Sequence, residues 1–259
     1  MIGAIIGDIV GSRFEFNNTT TKDFELSYPL CDFTDDTICT IAIADAILRG
    51  IPYRDSLLHW CRKYPNPKGA YGGRFSQWLY EANPQPYNSW GNGAAMRVSP
   101  VAWAFTSLPE IQREALATAQ PTHNHPEGLI GAMVVAEAIF KMRHCKSYSL
   151  ASETLISLSA DNYGAGCWGD LPKRGVFDET CRGCVPLALC LVHQSTSFED
   201  AIRNAVAYGG DSDTLAAIVG SIAEARWGVP HDLREEFVQY LPDDMLDVLT
   251  KFETKYGYE

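Results

Sequence analysis

The segment GGDSDTLAAIVGSIAEARWG spans residues 209–228 and begins with two glycines, followed by two carboxylates and two hydroxyls. The residues after Thr214 are mostly small and apolar, a composition that favours a buried helix lying close to its neighbours. Asp, Ser and Thr at a helix start satisfy free backbone N–H groups, and acids there complement the helix dipole. Capping alone needs a single such residue, so the cluster predicts a further role.

A chemically similar helix start lies far earlier in the chain. The segment FTDDT, residues 33–37, also places two acids and a threonine before an apolar run with helical spacing. If the fold brings both starts together, Asp35, Asp36, Asp211 and Asp213 form one pocket of four carboxylates. Adjacent carboxylates raise one another's pKa unless a counter-charge is present, and divalent cations that prefer oxygen ligands supply it. The pattern predicts a metal site; the alternative is two independently capped helices.

Further oxygen ligands accompany these acids. Thr34 and Thr214 offer hydroxyl groups beside the two acid pairs. A third acidic motif, GDIVGSRFE at 7–15, contains Asp8 after an apolar run and ends at Glu15. We expect Glu15 to reach the metal pocket from a loop, the alternative being an exposed loop acid.

The sequence as a whole predicts an all-α protein that forms one domain over residues 1–259. Its hydrophobic fraction of 46% suffices for a sizeable core. Helical periodicity predicts helices over 34–50, 128–143, 185–195, 198–209, 211–228 and 231–241. The segments 15–33, 63–93 and 160–184 are less regular and rich in Gly, Pro, Asn and aromatic residues, which is typical of binding loops.

Charge and composition exclude several classes of protein. A formal net charge of -11 argues against a general nucleic-acid or anionic-membrane surface. No apolar run reaches about 18 residues, and the N-terminal stretch lacks the basic residues of a signal peptide. The pair CRGC at 181–184 has neither a second CxxC for zinc nor a βαβ context for redox chemistry, so it predicts ordinary buried or loop thiols. We predict a cytoplasmic monomer with reduced cysteines.

Five motifs, in this order, resemble the ADP-ribosylglycohydrolase family, which includes the dinitrogenase-reductase-activating glycohydrolase and the animal ADP-ribosyl-acceptor hydrolases. They are GDIVGSRFE (7–15), FTDDT (33–37), SWGNGAAMRVSP (89–100), THNHP (122–126) and GGDSDTLAAIVGSIAEARWG (209–228). The resemblance implies an all-α fold, two Mg²⁺ or Mn²⁺ ions and an ADP-ribosylated substrate. The implied reaction is hydrolysis of the bond between C1″ of ADP-ribose and an acceptor group.

The resemblance also implies roles for individual residues. The implied metal ligands are Thr34, Asp35, Asp36, Asp211, Asp213 and Thr214. The catalytic residues are Glu15, which matches a flexible N-terminal glutamate of the family, Asp35 and Asp36. The substrate-binding residues are Ser89, Trp90, Gly91, Asn92 and Gly93 at the diphosphate and nearby ribose, and His123 beside the ligand.

Alternatives stay open at several of these positions. A glycine-rich turn before a helix offers backbone N–H groups to a diphosphate, but an ordinary Gly/Asn turn has the same letters. His123 is alternatively a loop histidine bonded to backbone. Segment 161–186 matches neither the arginine- nor the serine-specific branch, so the acceptor stays undetermined. Two other functions fit the pattern: a dinuclear-metal phosphohydrolase that cuts the diphosphate, and a non-catalytic ADP-ribose-binding protein.

Overall fold

The computed structural model describes residues 1–145, 147–164 and 173–257 and confirms the all-α prediction. The helices are α1 Ile2–Gly11, α2 Asp35–Arg49, α3 Tyr53–Lys63, α4 Gly73–Tyr80, α5 Gly93–Met96, α6 Ser99–Ala104, α7 Leu108–Ala119, α8 Pro126–His144, α9 Tyr148–Tyr163, α10 Cys181–Gln194, α11 Phe198–Tyr208, α12 Ser212–Trp227, α13 His231–Phe237 and α14 Asp243–Tyr256. Within these described ranges, β-type pairing is limited to two isolated bridges, Thr34 with Lys68 and Gly91 with Thr180.

Helices α1 and α12 pack against each other at the centre of the fold. Every residue of α1 is buried, as are residues 212–224 of α12. Glycines permit the close approach: a Cβ atom at Gly7 would lie 2.0 Å from the carbonyl oxygen of Ala216, and one at Gly11 would lie 2.5 Å from the Cα atom of Asp213. No side chain fits between these backbones. The C-terminal end of α1 therefore lies beside the N-terminal end of α12, and so does the start of the segment that follows α1.

The other helices enclose this pair. Helices α8, α10 and α11 pack on α12, while α2 packs against α3, α14 and α1. The buried apolar side chains form a cluster that runs from the first helix to the last, with Ile5, Ile41, Val135, Val219 and Phe252 among its members. Complete burial of one such side chain stabilises the fold by about 1.5–3 kcal/mol.

Several helices are absent from the sequence-based prediction. Helix α1 was not predicted because its ten residues are almost all apolar and form no polar face, although glycines recur at every fourth position. Helix α4 lies inside the segment predicted to be irregular, 63–93, and α9 extends into the segment 160–184. Residues 165–172 of the latter lie outside the described residues.

The bounds of two predicted helices need correction. Helix α10 begins at Cys181, four residues before the predicted start, because the Thr180 hydroxyl accepts a hydrogen bond from the Gly183 amide at 3.0 Å. Pro186 lies inside this helix, near its start. The helix predicted over 231–241 ends at Phe237 and continues as a short 3-10 turn.

The structure also bears on the cysteines and on membrane insertion. Cys181 and Cys184 are buried in the first turn of α10, as predicted for plain thiols. Among the described residues, every helix is too short or too polar to span a bilayer. The single domain, the monomeric state and the cytoplasmic location stay predictions.

Candidate metal and ligand site

The N-terminal ends of α2 and α12 meet in the structure. The Thr214 hydroxyl on α12 donates a hydrogen bond to Asp36 Oδ2 on α2 at 3.1 Å. Asp36 and Asp213 are 2% and 4% exposed, so two carboxylates from distant parts of the sequence share one buried pocket. The similarity between FTDDT and GDSDT thus corresponds to a real juxtaposition.

Asp8 on α1 holds the start of α2 in place. Its carboxylate is fully buried and accepts hydrogen bonds from the Thr34 amide (2.9 Å) and hydroxyl (2.7 Å) and from the Thr37 amide (3.0 Å) and hydroxyl (2.5 Å). Burial raises the pKa of Asp8 to about 6, although these bonds oppose the shift. Sequence reasoning noted Asp8 without giving it a role. An acid within an otherwise apolar segment was the available signal.

Five carboxylates form two overlapping groups of three. Oxygens of Asp8, Asp36 and Asp213 lie within 4.8 Å of one another, and oxygens of Glu15, Asp211 and Asp213 meet the same criterion. Asp213 belongs to both groups. All these donors are oxygen atoms, which Mg²⁺, Ca²⁺ and Mn²⁺ prefer. Asp213 thus joins the two groups, and their oxygen donors fit a divalent cation.

Two carboxylate oxygens in this pocket have no hydrogen-bond partner among the described residues. They are Asp36 Oδ1 and Glu15 Oε2, and both atoms are buried. Burial raises the pKa of Asp36 well above its usual range, and the charges of Asp8 and Asp35 add to the effect. Burial and the charge of Asp211 raise the pKa of Glu15 to about 7. Unpaired buried carboxylates are costly, and a cation removes that cost, so the residues fit the implied metal.

Asp35 and Asp211 have different surroundings from Asp36 and Glu15. The Asp211 carboxylate accepts a hydrogen bond from the Asn92 side-chain amide at 2.6 Å, which ties the glycine-rich loop to the acidic pocket. Asp35 lies outside both groups of three but lines the adjoining cavity. Burial is the main reason that the pKa of Asp35 is raised well above its usual range, and the charges of Cys39 and Asp8 raise it further.

The loop that carries Glu15 is anchored by Asn18, a residue that sequence reasoning missed. The Asn18 amide donates to the carbonyl of Phe14 at 2.6 Å and to that of Gly210 at 3.0 Å, and its oxygen accepts from the Gly210 amide at 2.7 Å. Gly209 and Gly210 have φ angles of 78° and 84°, in the left-handed region. A Cβ atom at Gly210 would lie 2.4 Å from the Val176 carbonyl oxygen. The two glycines before DSDT therefore permit this three-way contact.

The glycine-rich loop is itself bonded to the segment before α10. The backbone amide of Asn92 donates a hydrogen bond to the Glu179 carbonyl at 2.7 Å, and the backbone amide of Gly91 donates one to Ser89 Oγ at 3.2 Å. Two amides that we expected to be open to a diphosphate are thus already used within the protein. Trp90 is 49% exposed and lies outside the cavity lining, with its ring 5.6 Å from that of His125.

A cavity of about 390 Å³ opens above the acidic pocket. Predicted residues in its lining are Glu15, Asp35, Ser89, Gly91, Asn92, Gly93, His123, Asp211, Asp213 and Thr214. Thr34 and Asp36 are buried outside this lining. The lining also includes residues 69–75, a glycine-containing segment that sequence reasoning did not single out. The volume falls in the range of small-molecule sites, about 300–1,000 Å³.

Comparison with known proteins decides what kind of cavity this is. The sequence model of the ADP-ribosylglycohydrolase family matches residues 1–256, almost the entire chain. The chain belongs to the ADP-ribosylglycohydrolase family. Membership, together with the named relatives, supports an enzyme that cleaves glycosidic bonds of ADP-ribose.

The relatives carry more than one specificity in their names. ADP-ribosylhydrolase ARH3 of Xenopus tropicalis is 26% identical, with 88% of this chain and 86% of the relative covered. The ADP-ribosyl-[dinitrogen reductase] glycohydrolase of Rhodospirillum rubrum is 24% identical, with 88% and 84% covered. ADP-ribosylarginine hydrolase Tri1 of Pseudomonas putida is 25% identical, with 88% and 70% covered.

The fold agrees with a solved structure. An ADP-ribosylglycohydrolase-related protein complex contains a chain that superposes with a TM-score of 0.75 at 21% identity, covering 98% of this chain and 95% of that one. At this identity the likeness speaks for the fold alone.

In this member of the family, the surroundings of His123 keep its ring neutral. Arg97 Nη2 donates to Thr122 Oγ1 at 2.8 Å, and Thr122 Oγ1 lies 2.7 Å from His123 Nδ1. A threonine hydroxyl can accept two hydrogen bonds and donate one, so this contact is compatible with either tautomer of the ring. Burial and the charge of Arg97 lower the pKa of His123 well below its usual value. The ring is therefore neutral, and its Nε2 is close to Gly93, 3.1 Å from where a Cβ atom would lie.

Proposed function

We propose that the protein is a metal-dependent hydrolase that cleaves the bond between C1″ of ADP-ribose and an acceptor group, releasing ADP-ribose. The observation that carries this proposal is Asp213, whose carboxylate belongs to both groups of three acids at the base of a ligand-sized cavity. The remaining functions predicted from the sequence, diphosphate cleavage and ADP-ribose binding without turnover, are the competing outcomes of the test below.

Two cations, Mg²⁺ or Mn²⁺, would be held by the oxygens of the two helix starts. Asp36, Asp211 and Asp213 supply carboxylates, Thr34 and Thr214 add hydroxyl oxygens, and Asp35 and Glu15 complete the set from the cavity wall. When bound, such ions stabilise developing negative charge and lower the pKa of a bound water from 15.7 to about 7. The unpaired oxygens of Asp36 and Glu15 support this assignment because a cation gives each of them a partner.

The protein's own groups orient the substrate around this pocket. The hydroxyls of the ribose that carries C1″ would lie over the acids, and the diphosphate would extend towards residues 89–93, beside the neutral ring of His123. Water adds to C1″ while the electron pair of the broken bond goes to the acceptor. A carboxylate takes the proton that the water loses, and the acceptor leaves with a proton returned by that carboxylate. Glu15 suits this step because its carboxylate lies beside those of Asp211 and Asp213 and lines the cavity.

The test is product identity with and without metal. Protein freed of metal is incubated with Mg²⁺ or Mn²⁺ and peptides that carry ADP-ribose on arginine or on serine, and products are identified by mass spectrometry. We expect free ADP-ribose, its formation abolished by chelator and restored by added metal. Formation of AMP would transfer the reaction to the diphosphate, and binding without any product would favour a binding protein.

A matched pair of variants ties the activity to the pocket. Asp213→Asn removes one charge from the shared carboxylate, whereas Asp247→Asn removes one from a surface acid that pairs with Lys251 on α14. We expect the first to abolish ADP-ribose release and the second to leave it unchanged. Equal activity in both variants would contradict the proposed site.

A further inference from the structure

The lining of the cavity includes two arginines close to the glycine-rich loop. Arg74 lies 5.0 Å from the centre of the Tyr87 ring, and that ring lies 6.2 Å from the ring of His123, to which Arg97 is linked through Thr122. These residues are grouped at the side of the glycine-rich loop that suits an anionic diphosphate.

Two strongly exposed aromatic rings also line the cavity. Phe16 is 77% exposed and Phe177 is 44% exposed. Their ring centres are 6.1 Å apart and their planes differ by 12°, so the faces are almost parallel. Of the strongly exposed large apolar side chains in the described part of the chain, these two line the cavity. Exposed apolar surface at the edge of a cavity marks a place where a ligand is contacted.

A carboxylate two residues after Phe177 also lines the cavity. Glu179 lines the cavity, and partial burial together with the charge of Asp211 raises its pKa. The carboxylate of the neighbouring Asp178 is used within the protein, since it accepts hydrogen bonds from the Thr180 amide at 2.9 Å and from the Thr180 hydroxyl at 2.7 Å. A cationic group placed beside Glu179 would be attracted by its carboxylate.

Building on the function proposed above, we propose that Phe16, Phe177 and Glu179 form the acceptor subsite and that it selects a planar cation, the guanidinium group of ADP-ribosylated arginine. Aromatic faces attract cations, and guanidinium groups stack on them. A carboxylate adds paired hydrogen bonds to the edge of the same group. A serine acceptor is neither planar nor charged and uses none of these contacts.

The geometry is compatible with stacking. A planar group held between two rings needs about 7 Å between the ring planes, given contact distances of about 3.5 Å on each face. The 6.1 Å between ring centres is an upper limit on the separation of the two planes, so the group stacks either on the exposed face of Phe16 or between the rings after they move apart. Phe16 is on the Glu15 loop and Phe177 on the segment before α10, so the rings belong to separate parts of the chain.

The experiment compares two peptides that differ only in whether arginine or serine carries the ADP-ribose. We expect wild-type kcat/KM to be higher for the arginine peptide by at least about tenfold. The double variant Phe16→Leu, Phe177→Leu and the single variant Glu179→Gln should each lower the arginine-to-serine ratio of kcat/KM by about tenfold. Tyr80→Leu, which changes an exposed aromatic outside the cavity lining, should leave both rates and their ratio unchanged.

The possible outcomes separate this inference from the function on which it rests. A wild-type preference for serine, or an arginine-to-serine ratio that the variants do not change, overturns the acceptor assignment while leaving the hydrolase in place. Failure of wild type to release ADP-ribose from either peptide overturns the hydrolase itself. Because the readout is a ratio measured on one preparation, partial misfolding of a variant cannot imitate the expected result.

Discussion

The two acidic helix starts have similar sequences but are built differently. At α2, the Thr34 hydroxyl accepts a hydrogen bond from the Asp36 amide at 3.2 Å and donates one to Asp8, so it is a true cap. At α12, the N-cap residue Asp211 makes no capping hydrogen bond, and its carboxylate accepts from Asn92 instead. Capping thus explains part of the first motif and little of the second. Acids that a helix start does not use for itself are free for a ligand.

The largest expected effect comes from the acid that both groups of three share. Asp213→Asn, and equally Asp36→Asn, should lower kcat/KM for ADP-ribose release by at least about a hundredfold, since each removes charge from the proposed metal pocket. Steady-state turnover at saturating Mg²⁺ measures this. If Asp213→Asn were inactive and Asp36→Asn fully active, the two helix starts would not form one site.

The next largest effect concerns the support beneath α2. Asp8→Asn replaces an acceptor of four hydrogen bonds by a group with a single acceptor oxygen, and its amide would face the donors of Thr34 and Thr37. We expect the free energy of unfolding to fall by about 2–3 kcal/mol. Urea denaturation of the metal-free protein measures it. Thr37→Ser, which keeps the hydroxyl donor, is the matched control and should cost much less.

A paired substitution tests the contrast between the starts directly. Thr34→Val removes the cap of α2 and should cost about 1–2 kcal/mol of stability. Asn92→Ala removes the amide that orients Asp211 and should lower metal affinity by about tenfold while changing stability less. Thermal denaturation and metal titration of both variants give the two numbers. Equal effects on stability would show that the starts are equivalent after all.

A smaller effect is expected in the dependence of stability on pH. The pKa of Asp8 is raised to about 6 and that of Glu15 to about 7, both from ordinary values near 4, so the folded state binds these protons more tightly than the unfolded state. Stability from these groups is present in acid and is lost as the pH rises from about 4 to about 7. The Tm of metal-free protein should therefore fall over this range, and saturating Mg²⁺ should remove the fall. A metal-free Tm that rises instead would contradict the raised pKa values.

Local patterns in the sequence predicted much of the site because its main donors are at helix starts. Two acids beside a threonine before an apolar run can be recognised wherever they occur, and Asp36 and Asp213 lie together in the structure as that pattern suggested. The pairing of α1 with α12 was harder to predict, since glycine spacing such as Gly7 against Ala216 has meaning only once the partner helix is known.

The rim of the cavity was not predictable in the same way. Asn18 is one of two adjacent asparagines in a loop, and nothing nearby in sequence indicates that it bonds to Gly210. Phe16 and Phe177 look like ordinary loop aromatics until the chain brings their rings together. These contacts link residues far apart in the sequence, so local periodicity and capping signals carry no information about them.

The most direct test of the shared metal site is a count of bound Mn²⁺. Metal-free protein is titrated with Mn²⁺, and the free ion is followed by electron paramagnetic resonance in wild type, Asp36→Asn and Asp213→Asn. We predict two ions per wild-type chain, loss of one in Asp36→Asn, and loss or strong weakening of both in Asp213→Asn, because Asp213 belongs to both groups of acids. Wild-type binding in Asp213→Asn, or no stoichiometric binding by wild type, would contradict a site built from the two helix starts.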